Sequence, residues 1–113
     1  MLSSGLHSSI YLQSAIVLSY PWYLKTISKN LADLIKSKLN ANNIDVVVSP
    51  AMGGVVIGSK IGEELQKQSI FLERVDGKLA LRRGFNIKKS SKVIIVEDVI
   101  TTGKSSKECI IAL

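Results

Sequence analysis

The sequence predicts an α/β protein built on a parallel sheet. Two short, almost wholly apolar runs, Asp45 to Pro50 and Lys92 to Val96, have the composition of strands covered on both faces. Each is followed by a glycine-containing turn and then by a segment read as helix, with apolar residues at helical spacing after the first. No internal repeat or low-complexity tract competes with the strand, turn, helix order that a parallel sheet with right-handed crossovers requires.

The chain has 113 residues, of which 46% are hydrophobic, enough for one core and too few for two, so residues 1–113 are expected to form a single domain. Met1 to Ser19 is serine-rich, carries the only histidine, and alternates at Ile10 to Gln13 as a short strand would. From Pro21, the apolar residues Leu24, Ile27, Leu31, Leu34, Ile35 and Leu39 recur at helical spacing. Pro21 suits the first turn and Asn40 to Asn43 suit the stop. After Asp45 to Pro50, Gly53-Gly54 opens a turn and Val55 to Gln68 reads as a second helix, whose Gly58 and Gly62 would let its backbone lie close to the sheet. Ser69 to Glu73 is a second strand. Arg74 to Lys92, with Gly77 and Gly84 as turn points, reads as an exposed hairpin or loop before the apolar strand, and a third helix starts near Lys104.

Fifteen Lys and Arg against nine Asp and Glu leave a net charge of +6, which draws anionic partners. The basic residues have neither the aromatic interleaving nor the zinc-ligand spacing of a nucleic-acid module, so small phosphates are favoured over polymers. The lone Cys109 has no partner for a disulfide, consistent with a reducing compartment. No apolar run reaches a membrane span, and the first twenty residues lack the basic start of a signal peptide. The expected location is the cytoplasm.

The most informative stretch is Val93-Ile94-Ile95-Val96-Glu97-Asp98-Val99-Ile100-Thr101-Thr102-Gly103-Lys104-Ser105. A buried strand ends at two carboxylates, and a loop of hydroxyls and glycine then leads into a helix, so a ligand would sit beyond the strand's carboxyl end. Thr101 to Ser105 can turn backbone N–H groups and hydroxyls toward one phosphate at a helix N-terminus. Glu97 and Asp98 suit vicinal ribose hydroxyls, which donate hydrogen bonds to carboxylates. Two carboxylates at the edge of a buried strand carry a desolvation cost that an ordinary polar turn would not explain. A P-loop reading uses Gly103-Lys104-Ser105, but the first glycine of that pattern falls at Asp98, where a carboxylate would repel nucleotide phosphates.

This stretch resembles the phosphoribosyl-diphosphate motif of type I phosphoribosyltransferases. Three further segments resemble the orotate phosphoribosyltransferase family: Leu2-Ser3-Ser4-Gly5-Leu6-His7-Ser8 with Tyr11 and Gln13, Ser49-Pro50-Ala51-Met52-Gly53-Gly54, and Glu73-Arg74-Val75-Asp76-Gly77-Lys78 followed by Leu81-Arg82-Arg83-Gly84-Phe85. The resemblance runs from about residue 2 to 109. Taken singly, His7 would read as a surface histidine and the Arg82–Arg83 pair as a solvated face. In this order and spacing they join the functional reading.

The resemblance implies a Rossmann-like parallel sheet of the type I phosphoribosyltransferase fold, here incomplete, with about three core strands and about three helices. It implies transfer of ribose 5-phosphate from phosphoribosyl diphosphate to N1 of orotate in pyrimidine nucleotide biosynthesis, giving orotidine 5′-phosphate and pyrophosphate, with Mg2+ carried by the diphosphate and no direct metal ligand. Lys78 and Asp98 would be catalytic. Arg74, Lys78, Glu97, Asp98, Val99, Ile100, Thr101, Thr102, Gly103, Lys104 and Ser105 would bind the donor. Ala51, Met52, Gly53 and Gly54 would form the pyrophosphate loop, and His7, Tyr11 and Thr101 would meet orotate. Two departures stand out: Lys104 occupies a position where glycine is common, and Leu12 one where some members have an aromatic.

Family members also have a helix before this region, and after it further strands and an arginine for the orotate carboxylate. The expectation is therefore a member truncated at the C-terminus and slightly at the N-terminus, homodimeric if folded, and without robust turnover. A split or decaying gene, a fragment needing a partner chain and a reduced enzyme remain alternatives, as do a non-catalytic donor-binding module and a P-loop NTPase fragment.

Overall fold

A computed structural model describes residues 14–100 and 102–113. The expected strand at Ile10 to Gln13 and the segment Leu2 to Ser8 lie outside the described residues. The first helix, α1 (Ser14–Leu18), was not anticipated. It is a single short turn that leads into α2 (Pro21–Lys38). Pro21 stands at the start of α2, where its missing N–H costs no hydrogen bond, and Lys36 and Lys38 lie in the last turn, favourable to the helix dipole. The buried stripe is Leu24, Ser28 and Ala32, flanked by Ile27 and Ile35, whereas Leu31, Leu34 and Leu39 remain exposed. The helix has more apolar residues than its contact is wide. Small Ser28 and Ala32 occupy the closest approach, and the leucines fall to its margins.

Strand β1 (Val46–Pro50) is buried along its whole length, as a central strand with helices on both faces must be. Helix α3 (Gly53–Leu65) starts two residues earlier than its apolar periodicity suggested and closes with Gln66 in the left-handed conformation. Strand β2 (Gln68–Val75) pairs parallel to β1, Val46 opposite Gln68 through Pro50 opposite Leu72. It then turns through Asp76-Gly77 into β3 (Lys78–Leu81), antiparallel, with Val75 opposite Lys78. Asp76 and Gly77 have φ of 51° and 78°, the pair of positive angles that a two-residue hairpin turn requires and that Asp-Gly readily adopts. The expected hairpin is therefore present and supplies a fourth strand. Strand β4 (Val93–Ile95) pairs parallel to β1 on its other side, and the Val96 N–H continues the ladder to the Val48 carbonyl at 2.9 Å. Helix α4 (Lys104–Ala112) starts where the sequence placed it.

The sheet order is β3-β2-β1-β4. One face packs on α2 and α3 through Val47, Ile57, Ile61, Leu65 and Val96. The other meets α4 through Val46, Val48, Ile70, Leu72, Leu79 and Cys109. The alternation of Val46, Val47 and Val48 between the two clusters is the period of two that puts successive strand side chains on opposite faces. From β1 the chain moves to one side to make β2 and later to the other to make β4. The crevice between the carboxyl ends of β1 and β4 is thus a topological switch point, the place where open α/β sheets bind ligands.

Candidate functional site at the carboxyl end of the sheet

Two loops meet at that crevice. The first follows β1: Ala51 is half-buried, Met52 is 85% exposed, a cis peptide joins them, and Gly53-Gly54 begin α3. The second follows β4 and holds Glu97 and Asp98, both half-buried, then exposed Val99 and Ile100. The loops meet where Gly53 faces Asp98. A Cβ built on Gly53 would lie 2.7 Å from both carboxylate oxygens of Asp98 and 2.9 Å from its Cγ. Asp98 is therefore seated directly on the Gly53 backbone, in space that glycine leaves open. Gly54 is tighter against the scaffold: its Cβ would stand 2.9 Å from the Val96 carbonyl oxygen and 3.2 Å from Pro50 and Ser49. Behind them Gly58 faces Ser49 and Gly62 faces Ser69, so α3 is pressed onto the sheet and its N-terminus is held at the crevice.

Beyond Asp98 the chain turns through Gly103, with φ of 78°, into α4. No side chain caps this helix, and the N–H groups of its first turn have no partner within the helix, so they are available to an anion on the helix axis. Thr102 and Lys104 are exposed, and Gly103 and Ser105 half-buried. Thr101, expected to serve both phosphate and orotate, lies outside the described residues, as do His7 and Tyr11. Within one crevice there is thus a donor-rich helix start, an acidic pair beside it and a glycine turn facing the acids. An aspartate occupies the place where a P-loop would need its first glycine.

The acidic pair is electrostatically uneven. Burial, reinforced by the hydrogen bond and charge of adjacent Asp98, pushes the Glu97 carboxyl up from 4.5 to about 7. Near neutrality Glu97 can therefore either donate or accept a hydrogen bond at a hydroxylated ligand.

The basic residues of the hairpin divide. Lys78, the first residue of β3, pairs with Val75 through its backbone, and its side chain is exposed and makes no hydrogen bond or ion pair among the described residues. Arg74 is engaged: its Nη1 donates to the Gly77 carbonyl at 3.1 Å and its Nη2 to Glu108 Oε2 of α4 at 2.6 Å. Arg83, with φ of 61°, donates from Nε and Nη2 to Glu73 Oε1 at 3.0 and 2.7 Å and lies 5.8 Å from the centre of the Phe71 ring. The sequence offered no signal for Glu108 or Glu73 as partners, since pairs 34 and 10 residues apart follow no local spacing rule. Nor did it show that Asp98 rests on Gly53, although it placed both in the site.

Among the described residues no group of three His, Cys, Asp or Glu side chains converges in a way that could hold a metal ion. No helix among them is long and apolar enough to cross a membrane.

Residues 23–113 match the family model described as phosphoribosyl transferase domain. The whole chain is 52% identical to the orotate phosphoribosyltransferase of Erythrobacter litoralis (strain HTCC2594), over 113 residues that make up 58% of that protein. It is 50% identical over 109 residues, 96% of this chain and 54% of the relative, to the orotate phosphoribosyltransferase of Chlorobium phaeobacteroides (strain BS1). The corresponding protein of Helicobacter pylori (strain Shi470) is 49% identical over 109 residues, 96% of this chain and 53% of the relative. The chain spans about half the length of the curated relatives it matches.

Proposed function

Because the chain belongs to the phosphoribosyl transferase domain family, we propose that its crevice binds phosphoribosyl diphosphate and serves ribose 5-phosphate transfer to orotate. The observation that carries the reading is the seating of Asp98 on Gly53. It brings the acidic pair against the glycine turn, and the chain runs on from Asp98 through Gly103 into α4, so one ligand can meet all three. The donor's 5-phosphate is held by the N–H groups and hydroxyls of Thr101 to Ser105, where the helix dipole favours negative charge. Lys104 adds a charge there. Glu97 and Asp98 accept hydrogen bonds from the ribose hydroxyls, and Asp98, nearest the glycine turn, orients the ring. Ala51 to Gly54 flank the diphosphate with the first N–H groups of α3.

In the transfer, N1 of orotate attacks the anomeric carbon as the bond to the diphosphate oxygen breaks, and the N1 proton passes to the departing pyrophosphate. Positive charge grows on the ribose and negative charge on the leaving group. Lys78, at the root of a two-residue turn, meets the diphosphate as that charge builds and helps exclude water from the donor. Mg2+ would reach the crevice on the donor, with its ligands supplied by the diphosphate and water and no direct ligand from the protein. When bound, that ion neutralises leaving-group charge. His7, Tyr11 and Thr101 are the residues assigned to orotate.

Calorimetry with phosphoribosyl diphosphate and Mg2+ tests the donor site: wild type binds, and the double variant Asp98→Ala, Thr102→Val loses binding. Equal affinity of the two removes the assignment. Loss of orotate absorbance that depends on added donor tests the acceptor. Binding of the donor without such loss would make the chain a donor-binding module and not a transferase.

A further inference from the structure

The hairpin that carries Lys78 is tied to the phosphate-binding helix by one side chain. Along β2, Ile70 and Leu72 face α4, and strand alternation puts Arg74 on the same side. Its guanidinium bridges two anchors, the carbonyl of Gly77 within the turn and the carboxylate of Glu108 on α4. Glu108 is itself well placed to act as a fixed post. It lies one turn beyond Lys104 and Ser105, its side chain is 27% exposed, and the next residue, Cys109, is fully buried between the helix and the sheet. Among the described residues no other side-chain hydrogen bond or ion pair links the turn to α4. The connection therefore runs from the helix start through Glu108 and Arg74 to Gly77, and Lys78 is the next residue.

We propose that Glu108 is a positioning residue of the transferase site: through Arg74 it fixes the Asp76-Gly77 turn, and with it Lys78, to the helix that holds the donor phosphate. The role of Lys78 rests on the function proposed above; the latch itself belongs to the protein without ligand. It also assigns Arg74. With one N–H of each terminal nitrogen engaged by Gly77 and Glu108, Arg74 serves the hairpin, and Lys78 is the cation of the turn that faces the diphosphate. The opposing possibility, that Glu108 competes with the diphosphate for Arg74, makes the opposite forecast for one variant.

The test uses Arg74→Gln, Glu108→Gln, their combination, and the charge-reversed pair Arg74→Glu with Glu108→Arg. In the ligand-free protein, each single variant should raise amide hydrogen exchange at Gly77 and Lys78 by about fivefold, as expected for loss of a partly exposed ion pair. The combination should add nothing, and the charge-reversed pair should leave exchange raised, because Arg74→Glu removes the donor to the Gly77 carbonyl even where the ion pair re-forms. Both single variants should weaken binding of phosphoribosyl diphosphate with Mg2+, with melting temperatures lowered by no more than about 5 °C. Unchanged exchange in both single variants overturns the latch. Tighter donor binding in Glu108→Gln, with weaker binding in Arg74→Gln, overturns the positioning role and makes Glu108 a competitor. If wild type fails to bind the donor, the proposed function falls, while the exchange measurements still decide the latch.

Discussion

Adjacent glycines at the start of α3 should respond to the same substitution in opposite ways. In Gly53→Ala the new methyl would lie 2.7 Å from both Asp98 oxygens, so the carboxylate must leave its seat. A carboxylate at the end of a rotatable side chain moves at little cost, and alanine favours helix by up to about 1 kcal/mol, so stability should stay within about 0.5 kcal/mol of wild type or rise. Donor binding should fall. Losing one charged hydrogen bond costs on the order of 1.5 to 3 kcal/mol, roughly ten- to a hundredfold in affinity. In Gly54→Ala the methyl meets the Val96 carbonyl oxygen at 2.9 Å and Pro50 and Ser49 at 3.2 Å. These belong to the sheet and its end and cannot turn aside. Overpacking of that kind costs about 1–3 kcal/mol, which lowers the melting temperature by several degrees. Thermal melts and calorimetry on the two variants decide the matter. Wild-type donor affinity in Gly53→Ala, or a wild-type melting temperature in Gly54→Ala, would refute the geometry.

Three further outcomes follow from single groups. The raised Glu97 carboxyl means that the folded chain holds a proton that the unfolded chain has released, so stability should fall as pH rises from about 4.5 to about 7 and level off on either side. The full shift would correspond to about 3 kcal/mol, and solvent around this half-exposed group reduces it to about 1 kcal/mol. Denaturant melts at several pH values should lose this slope in Glu97→Gln, and an identical slope in the variant would assign it elsewhere. Ser28, 1% exposed, has a hydroxyl without a partner among the described residues, so Ser28→Ala should stabilise α2 by about 1 kcal/mol in a chemical melt; destabilisation would mean that the hydroxyl has a partner. Where the chain turns over orotate as proposed above, Lys78→Ala should lower kcat more than it raises the donor KM, and a change in KM alone would move Lys78 to ground-state binding.

The three long helices and the strands of the parallel core were legible because each is marked by periodicity and punctuated by Pro21, Gly53-Gly54 or Gly103. Gly77 marked a turn point but left hairpin and loop open; the structure makes it a hairpin, with Asp76 and Gly77 both at positive φ. The burial of α2 was read less well: periodicity finds the apolar side of a helix but not the width of the contact, and Leu31, Leu34 and Leu39 fall beyond it. On the donor side, the chemistry of Glu97-Asp98 and the helix start could be inferred from residue types along one stretch. What could not be inferred were encounters between distant stretches, such as Asp98 on Gly53, Arg74 with Glu108, and Arg83 with Glu73 and Phe71. Those depend on which strand lies beside which, and nothing local in the sequence encodes it.

The matched contacts of Gly58 with Ser49 and of Gly62 with Ser69 constrain how this sequence can change. Each pair shares one small volume between helix and sheet, so the permitted residues at the two positions are linked and neither has a tolerance of its own. Alanine at 58 needs glycine or alanine at 49, and alanine at 62 needs glycine at 69 and a shift of the Lys67 carbonyl oxygen at 3.0 Å while α3 keeps its height above the sheet. Lifting the helix to make room would carry Gly53 away from Asp98, because both glycines ride on the same rigid rod. In a randomised library of these four positions, variants selected only for folding should include helices that have moved outward, whereas variants selected for donor binding should retain small residues in compensating pairs.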